Sequence, residues 1–269
     1  MHAYWDVLTH PLLRLFGPRV LVEIGAERGE HTRHLLGFCH RHDAVLHTID
    51  PSPQFDVPLW TKLHGPRLVV HQGRSLDALP GLPAYDMVLI DGDHNWFTVF
   101  HELKRIEADS RLAERSFPLV MLHDVAWPYG RRDLYYDPDS IPADYRHPYA
   151  QKGLRLGDAA LQAAGGYNAH LFHAVEEGTP RNGVWTAVED FLEGTSLDLD
   201  YIFVPGFHGL GLLFPSVLRQ QRPDVGWALD TWALPEPVRD YVDRLEAVRL
   251  HLSTAGAVDE AAPSRYRTG

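Results

Sequence analysis

The stretch Tyr85-Asp-Met-Val-Leu-Ile-Asp-Gly-Asp-His94 decides how the chain is read. Three apolar residues, Val88 to Ile90, run straight into Asp91, Asp93 and His94, the pattern of a buried strand that stops in a cluster of ionisable side chains. In an open α/β sheet, ligands bind outside the carboxyl ends of the strands, which makes Asp91 to His94 candidate site residues. The same residues also suit a plain strand followed by a capped helix, with Asp93 as N-cap and no chemistry, because Asp is among the preferred N-cap residues.

Upstream, Val20-Leu-Val-Glu-Ile24 has the apolar, β-branched character of a buried parallel strand, and it ends in Gly25-Ala-Glu-Arg-Gly29 before a helical stretch from Glu30. A strand, a glycine-punctuated turn and a helix let backbone approach a nucleotide-like ligand closely. Val45-Leu-His-Thr-Ile49 predicts a second strand ending at Asp50. That acid follows Gly25 at about the distance where nucleotide-binding folds place a carboxylate against ribose hydroxyls, although an Asp-Pro pair is also an ordinary turn. Arg67 to His71 predicts a third strand, with Gln72-Gly-Arg-Ser75 as the loop after it.

Downstream of His94, Trp96, Val99, Phe100, Leu103 and Ile106 share one face and predict a core-packed helix. Leu119 to Leu122 forms a fifth strand, again ending in ionisable groups, His123 and Asp124. Strands alternating with helices imply parallel βαβ units. From Trp127 to Asn182 the rhythm stops and Pro, Gly, Tyr and Arg accumulate, as in a lid or binding insertion. Its arginines and tyrosines suit a polyhydroxylated or anionic acceptor, while its aspartates suit equally a surface lid laced with salt bridges. Val184 to Glu193 reads as a helix. Tyr201 to Val204 and Gly209 to Phe214 read as two strands too close together to pair other than antiparallel. Val238 to Leu252 is a further amphipathic segment, as is the stretch from residue 4 to 16, and the Ala/Gly/Ser-rich end from Ser253 is expected to be mobile.

The chain has 269 residues, 45% hydrophobic and 23% charged, enough for one large α/β domain with a sizeable core or for two modest ones. A formal net charge of −11 argues against nucleic acid as a partner, since that binding relies on clustered cations. Cys39 is the single cysteine, so an intrachain disulfide and a thiolate metal cluster are excluded. With no basic-then-apolar leader and no 18-residue apolar run, the expectation is a cytoplasmic protein without a membrane partner.

These pieces resemble the class I S-adenosylmethionine-dependent methyltransferases. Glu23-Ile-Gly25-Ala26-Glu-Arg-Gly29 is similar to that family's acidic and glycine signature, Asp50 to its ribose-binding acid, and the closing hairpin to its topology; Glu27 stands where a third glycine is common. The resemblance implies a Rossmann-like, seven-stranded, mostly parallel sheet with an antiparallel last strand and helices on both faces. It also implies one methyltransferase domain over 1–252, with 127–183 as a substrate-side insertion. Glu23, Gly25, Ala26, Gly29, Asp50, Ser75 and Asp91 would then bind S-adenosylmethionine.

Ile90-Asp-Gly-Asp-His94 with Leu122-His-Asp124 further resembles a branch containing metal-dependent O-methyltransferases of macrolide sugars and cephalosporin-hydroxylase-like proteins. This narrower resemblance implies Asp91, His123 and Asp124 as ligands of a divalent metal, with Mg²⁺ or Mn²⁺ suited to oxygen-rich ligation, and His94 as catalytic base. His123 stands where some relatives have a carboxylate. The function expected is O-methylation of a small hydroxylated acceptor, a saccharide or secondary metabolite, by a chain that could also form a homo-oligomer. Two other readings remain: a nicotinamide-dependent dehydrogenase, disfavoured because Gly25 to Gly29 lacks the G-x-G-x-x-G spacing, and a catalytically inactive binding protein on the same fold.

Overall fold

The computed structural model describes residues 1–260. Apolar runs that end at Gly or Asp become strands β1 (Val20–Ile24), β2 (Val45–Ile49), β3 (Leu68–His71), β4 (Met87–Ile90) and β5 (Leu119–His123). The insertion carries β6 (Leu134–Tyr135), β7 (Tyr149–Gln151), β8 (Gly153–Arg155), β9 (Asp158–Gln162) and β10 (Phe172–Ala174), and the chain then returns with β11 (Leu199–Val204) and β12 (Leu210–Pro215). Seven strands make one sheet in the order β11-β12-β5-β4-β1-β2-β3. From β5 to β3 every pairing is parallel, whereas β12 runs antiparallel to both β5 and β11. The five residues between β11 and β12 are too few for a crossover, so the chain can only double back.

Helices α1 (His10–Phe16), α2 (Glu30–His42), α3 (Val57–His64), α4 (Ser75–Ala78), α5 (Trp96–Leu112), α6 (Val184–Gly194), α7 (Leu218–Gln221), α8 (Pro223–Asp230) and α9 (Glu236–Glu260) follow the strands. Side chains alternate across the sheet because successive Cβ atoms of a strand point to opposite faces. Leu21, Met87, Leu89, Leu119 and Met121 pack on one face with α1, α2 and α8; Val22, Ile24, Val88, Ile90, Val120 and Leu122 pack on the other with α5 and α6. Both layers are buried, which explains why the parallel strands read as unbroken apolar runs. No helix among the described residues is long and apolar enough to cross a membrane.

Three expectations change in detail. Asp93 does not cap α5. Asn95 does, its Oδ1 accepting from the Thr98 N–H at 2.8 Å, because the helix starts at Trp96 and Asp93 lies a residue too far back. The insertion, whose sequence shows few regular apolar periods, holds a three-stranded sheet, β6-β10-β7, and the hairpin β8-β9. Finally, α9 continues past Ser253 to Glu260, so the expected mobile tail starts within a helix; its remainder, 261–269, lies outside the described residues.

Buried Asp133 ties the insertion to the sheet. Its carboxylate accepts from the Trp96 N–H at the start of α5 (2.7 Å), the Gly183 N–H at the start of α6 (2.6 Å) and the Tyr135 hydroxyl (2.8 Å). Arg132, also buried, donates to the carbonyls of Ala159, Ala174 and Val175. A buried charge is tolerable only when hydrogen-bonded in this way.

Candidate active site

The carboxyl ends of β1, β2, β4 and β5 lie side by side, so the acids that end them converge. Parallel pairing sets Ile24 beside Ile49 and Ile90, and Ile90 beside Leu122, which brings the loops after them to one rim. On that rim the glycine turn packs tightly. Gly25 has φ +90°, and a Cβ there would stand 2.3 Å from the Asp91 carbonyl oxygen, so only glycine lets β1 and β4 end so close together. Glu27, at the position of the missing third glycine, adopts the left-handed conformation itself with φ +45°.

Asp50 faces this turn. One of its oxygens accepts from the Ala26 and Glu27 N–H groups at 2.9 and 2.8 Å, and the other from the Ser52 N–H at 2.7 Å. A carboxylate has about four acceptor positions, so roughly one stays open towards a ligand hydroxyl. Glu23 behaves differently from the polar cofactor contact expected of it. Its oxygens are taken by the hydroxyls of Thr32 (2.7 Å) and Thr48 (3.0 Å) and by His31 Nδ1 (3.2 Å), and the group is buried. It binds β1, β2 and α2 to one another, which resolves the cost of burying a carboxylate without any ligand. At the other end of the turn Gly29 precedes α2, and no side chain caps that helix, leaving its first-turn N–H groups directed at the rim.

Beside β1, the second cluster is built from β4 and β5. His123 Nδ1 lies 3.0 Å from Asp91 Oδ1 and 2.9 Å from Asp124 Oδ2, and ligand atoms of all three residues fall within 4.8 Å of one another. Asp124 sits at φ +60°, a turn that brings its carboxylate back towards its neighbour's ring. Burial alone would lower the basicity of His123, but the flanking Asp91 and Asp124 carboxylates override it and push the imidazole up to about 10. Against the opposing effect of burial, that same imidazole holds Asp91 and Asp124 below the ordinary carboxylate range. His94 is buried next to them, its Nε2 3.6 Å from Asp124 Oδ2 and its ring stacked on Tyr129 at 5.4 Å and 4°.

The structure therefore brings together His94, Asp91, His123 and Asp124 as one group, and Gly25, Ala26, Gly29 and Asp50 as an adjoining one. Ser75 lies at the start of α4, after β3, on the same rim and buried. Sequence reasoning missed the N-terminal wall. The Met1 ammonium reaches Asp91 Oδ2 at 2.8 Å, the Tyr4 hydroxyl donates to the Gly206 carbonyl, and the Tyr4 ring meets His123 edge-on at 6.1 Å. No motif marks these residues. It also missed Glu102 of α5, wholly buried with neither carboxylate oxygen hydrogen-bonded, which burial pushes up to about 8. Its helical spacing among apolar residues was the available signal.

In the insertion Arg131 pairs with Glu189, Arg132 with Glu177 and Arg146 with Asp139, whereas Arg181 stacks over Trp96 and Tyr145. Tyr129 and Tyr136 are the insertion residues whose rings approach His94.

Compared with known sequences, residues 22–125 match the family described as "Methyltransferase domain", a span that runs from β1 to the residue after Asp124. That match does not favour the nicotinamide reading. No curated protein matches the chain. Among solved structures, the chain is similar to the S-adenosylhomocysteine-bound methyltransferase PaMTH1 of Podospora anserina, at 13% identity over 76% of this chain and 74% of that one, TM-score 0.44. It is also similar to the 1,6-didemethyltoxoflavin-N1-methyltransferase of Burkholderia thailandensis, at 17% identity over 79% and 77%, TM-score 0.43. The matched span contains both clusters, whereas the insertion and the hairpin lie beyond it.

Proposed function

We propose that the chain is an S-adenosylmethionine-dependent O-methyltransferase, assisted by a divalent metal, that acts on a small hydroxylated acceptor. The observation that carries this reading is the placement of the Asp91–His123–Asp124 cluster and His94 directly beside the glycine turn within the methyltransferase domain. The donor set fits a cation: two carboxylates and one imidazole, nearly buried and within reach of one another. It also fits the cofactor, through the open acceptor of Asp50 and the uncapped N-terminus of α2.

In this reading, Gly25, Ala26 and Gly29 form the cofactor turn, Asp50 accepts from the ribose, and Ser75 and the Asp91 backbone border the adenosine. Asp91, His123 and Asp124 hold the cation. When bound, the cofactor supplies an activated methyl group and the cation lowers the pKa of acceptor oxygens. The chain's own work is then to orient the acceptor and remove its proton. His94 Nε2 takes that proton, with Asp124 stabilising the imidazolium across 3.6 Å and Tyr129 fixing the ring plane. Tyr129 and Tyr136 give the acceptor side flat faces that suit a sugar or other compact secondary metabolite.

The test is methyl transfer from labelled S-adenosylmethionine to a panel of hydroxylated acceptors, with and without chelator. Turnover should be chelator-sensitive, and Asp124→Ala should abolish it. Full activity in Asp124→Ala, or no effect of chelator, would remove the metal.

A further inference from the structure

The last helix, α9, has one face against the domain and another with nothing on it among the described residues. Inward, Val242 approaches Gly206, the Glu246 carboxylate accepts from the His208 N–H at 2.9 Å, Arg249 stacks over Phe207 at 5.5 Å, and Leu250 is buried. Outward, Val238, Tyr241, Leu245, Val248 and Leu252 are 44%, 62%, 52%, 58% and 70% exposed. Their spacing is three, four, three, four, the period at which apolar residues form a seam between two helices. The stripe extends for about 21 Å of helix.

We propose that this stripe is a self-association surface, on which α9 of one copy pairs with α9 of a second copy. A seam of this period is complementary to itself, because the side chains of one stripe fit the gaps of an identical one. Pairing two stripes removes on the order of 1,000 Å² from water, the size that separates specific interfaces from chance contacts. The inward face holds the 206–209 loop whose Gly206 and Phe207 meet Tyr4 at the candidate active site, so pairing would also steady that wall.

Sedimentation of the full chain at micromolar to tens-of-micromolar concentration tests the proposal, the chain mass being 30.5 kDa. The expected result is a species of twice that mass, which Leu245→Glu and, separately, Val248→Lys convert to a monomer with unchanged circular dichroism and melting temperature. Leu63→Glu, an equally exposed leucine on α3, should leave the dimer intact. A monomeric wild type at tens of micromolar, or a dimer that survives both α9 substitutions, would overturn it. Binding of the monomer to phospholipid vesicles through the same residues would overturn it as well.

Discussion

Replacing Glu102 by Gln should stabilise the protein, and by an amount that depends on pH. The carboxyl is completely buried in α5 and receives no hydrogen bond, and burial pushes it up to about 8. The neighbouring Ser75 side chain favours the ionised form and nearby Asp93 opposes it. In the unfolded chain the same group titrates near its ordinary value of about 4.3. A carboxyl raised on folding costs nothing below the unfolded value, costs progressively more as pH rises between the two, and reaches its full penalty above about 8. At 1.36 kcal/mol per pKa unit, the penalty at pH 7 is on the order of 3 kcal/mol. For a chain of this size that corresponds to roughly 6–12 °C in melting temperature. Gln has nearly the same shape and does not ionise. Thermal melts of wild type and Glu102→Gln at pH 5, 6, 7 and 8 should therefore show nearly equal stability at pH 5 and a gap that widens steadily to pH 8. A gap that is constant with pH, or a variant that is less stable at pH 8, would refute the reasoning.

Two further substitutions probe the scaffold of the site. Gly25→Ala forces a left-handed residue and a Cβ 2.3 Å from the Asp91 carbonyl; it should cost binding of S-adenosylhomocysteine tenfold or more, about 1.4 kcal/mol, by calorimetry, and an unchanged affinity would contradict the close packing of β1 and β4. Asp133→Ala strips the acceptor from the Trp96 and Gly183 N–H groups and the Tyr135 hydroxyl; denaturant unfolding should show a loss on the order of 3 kcal/mol or more, and a loss under about 1 kcal/mol would mean that the insertion is held by other contacts.

Much of the fold was legible because its signals are local. β1 and β2 fall where the apolar runs Val20–Ile24 and Val45–Ile49 predict, since a parallel strand buried on both faces must be apolar throughout and the residue that ends it must be polar or glycine. The convergence of Asp91, His123 and Asp124 was legible for the same reason: both clusters end neighbouring strands, and parallel register aligns strand ends. The insertion was not. Its strands are two to five residues long, too short for alternation to accumulate, and β6 and β7 pair with the distant β10. Nor does a residue's type reveal which acceptors fold satisfies internally. Glu23 and Asp50 are both acids at strand ends, yet Glu23 is enclosed by Thr32, Thr48 and His31 while Asp50 retains part of its acceptor capacity. The Met1 and Tyr4 wall depends wholly on tertiary packing.

In the proposed function, the glycine turn and Asp50 hold S-adenosylmethionine. Isothermal titration calorimetry of the folded 269-residue chain with S-adenosylhomocysteine isolates this step, because product binding requires neither the acceptor nor the metal. One-to-one binding in the micromolar range, with no corresponding heat from NADH, is the predicted result. Absence of binding at high micromolar S-adenosylhomocysteine would contradict the account.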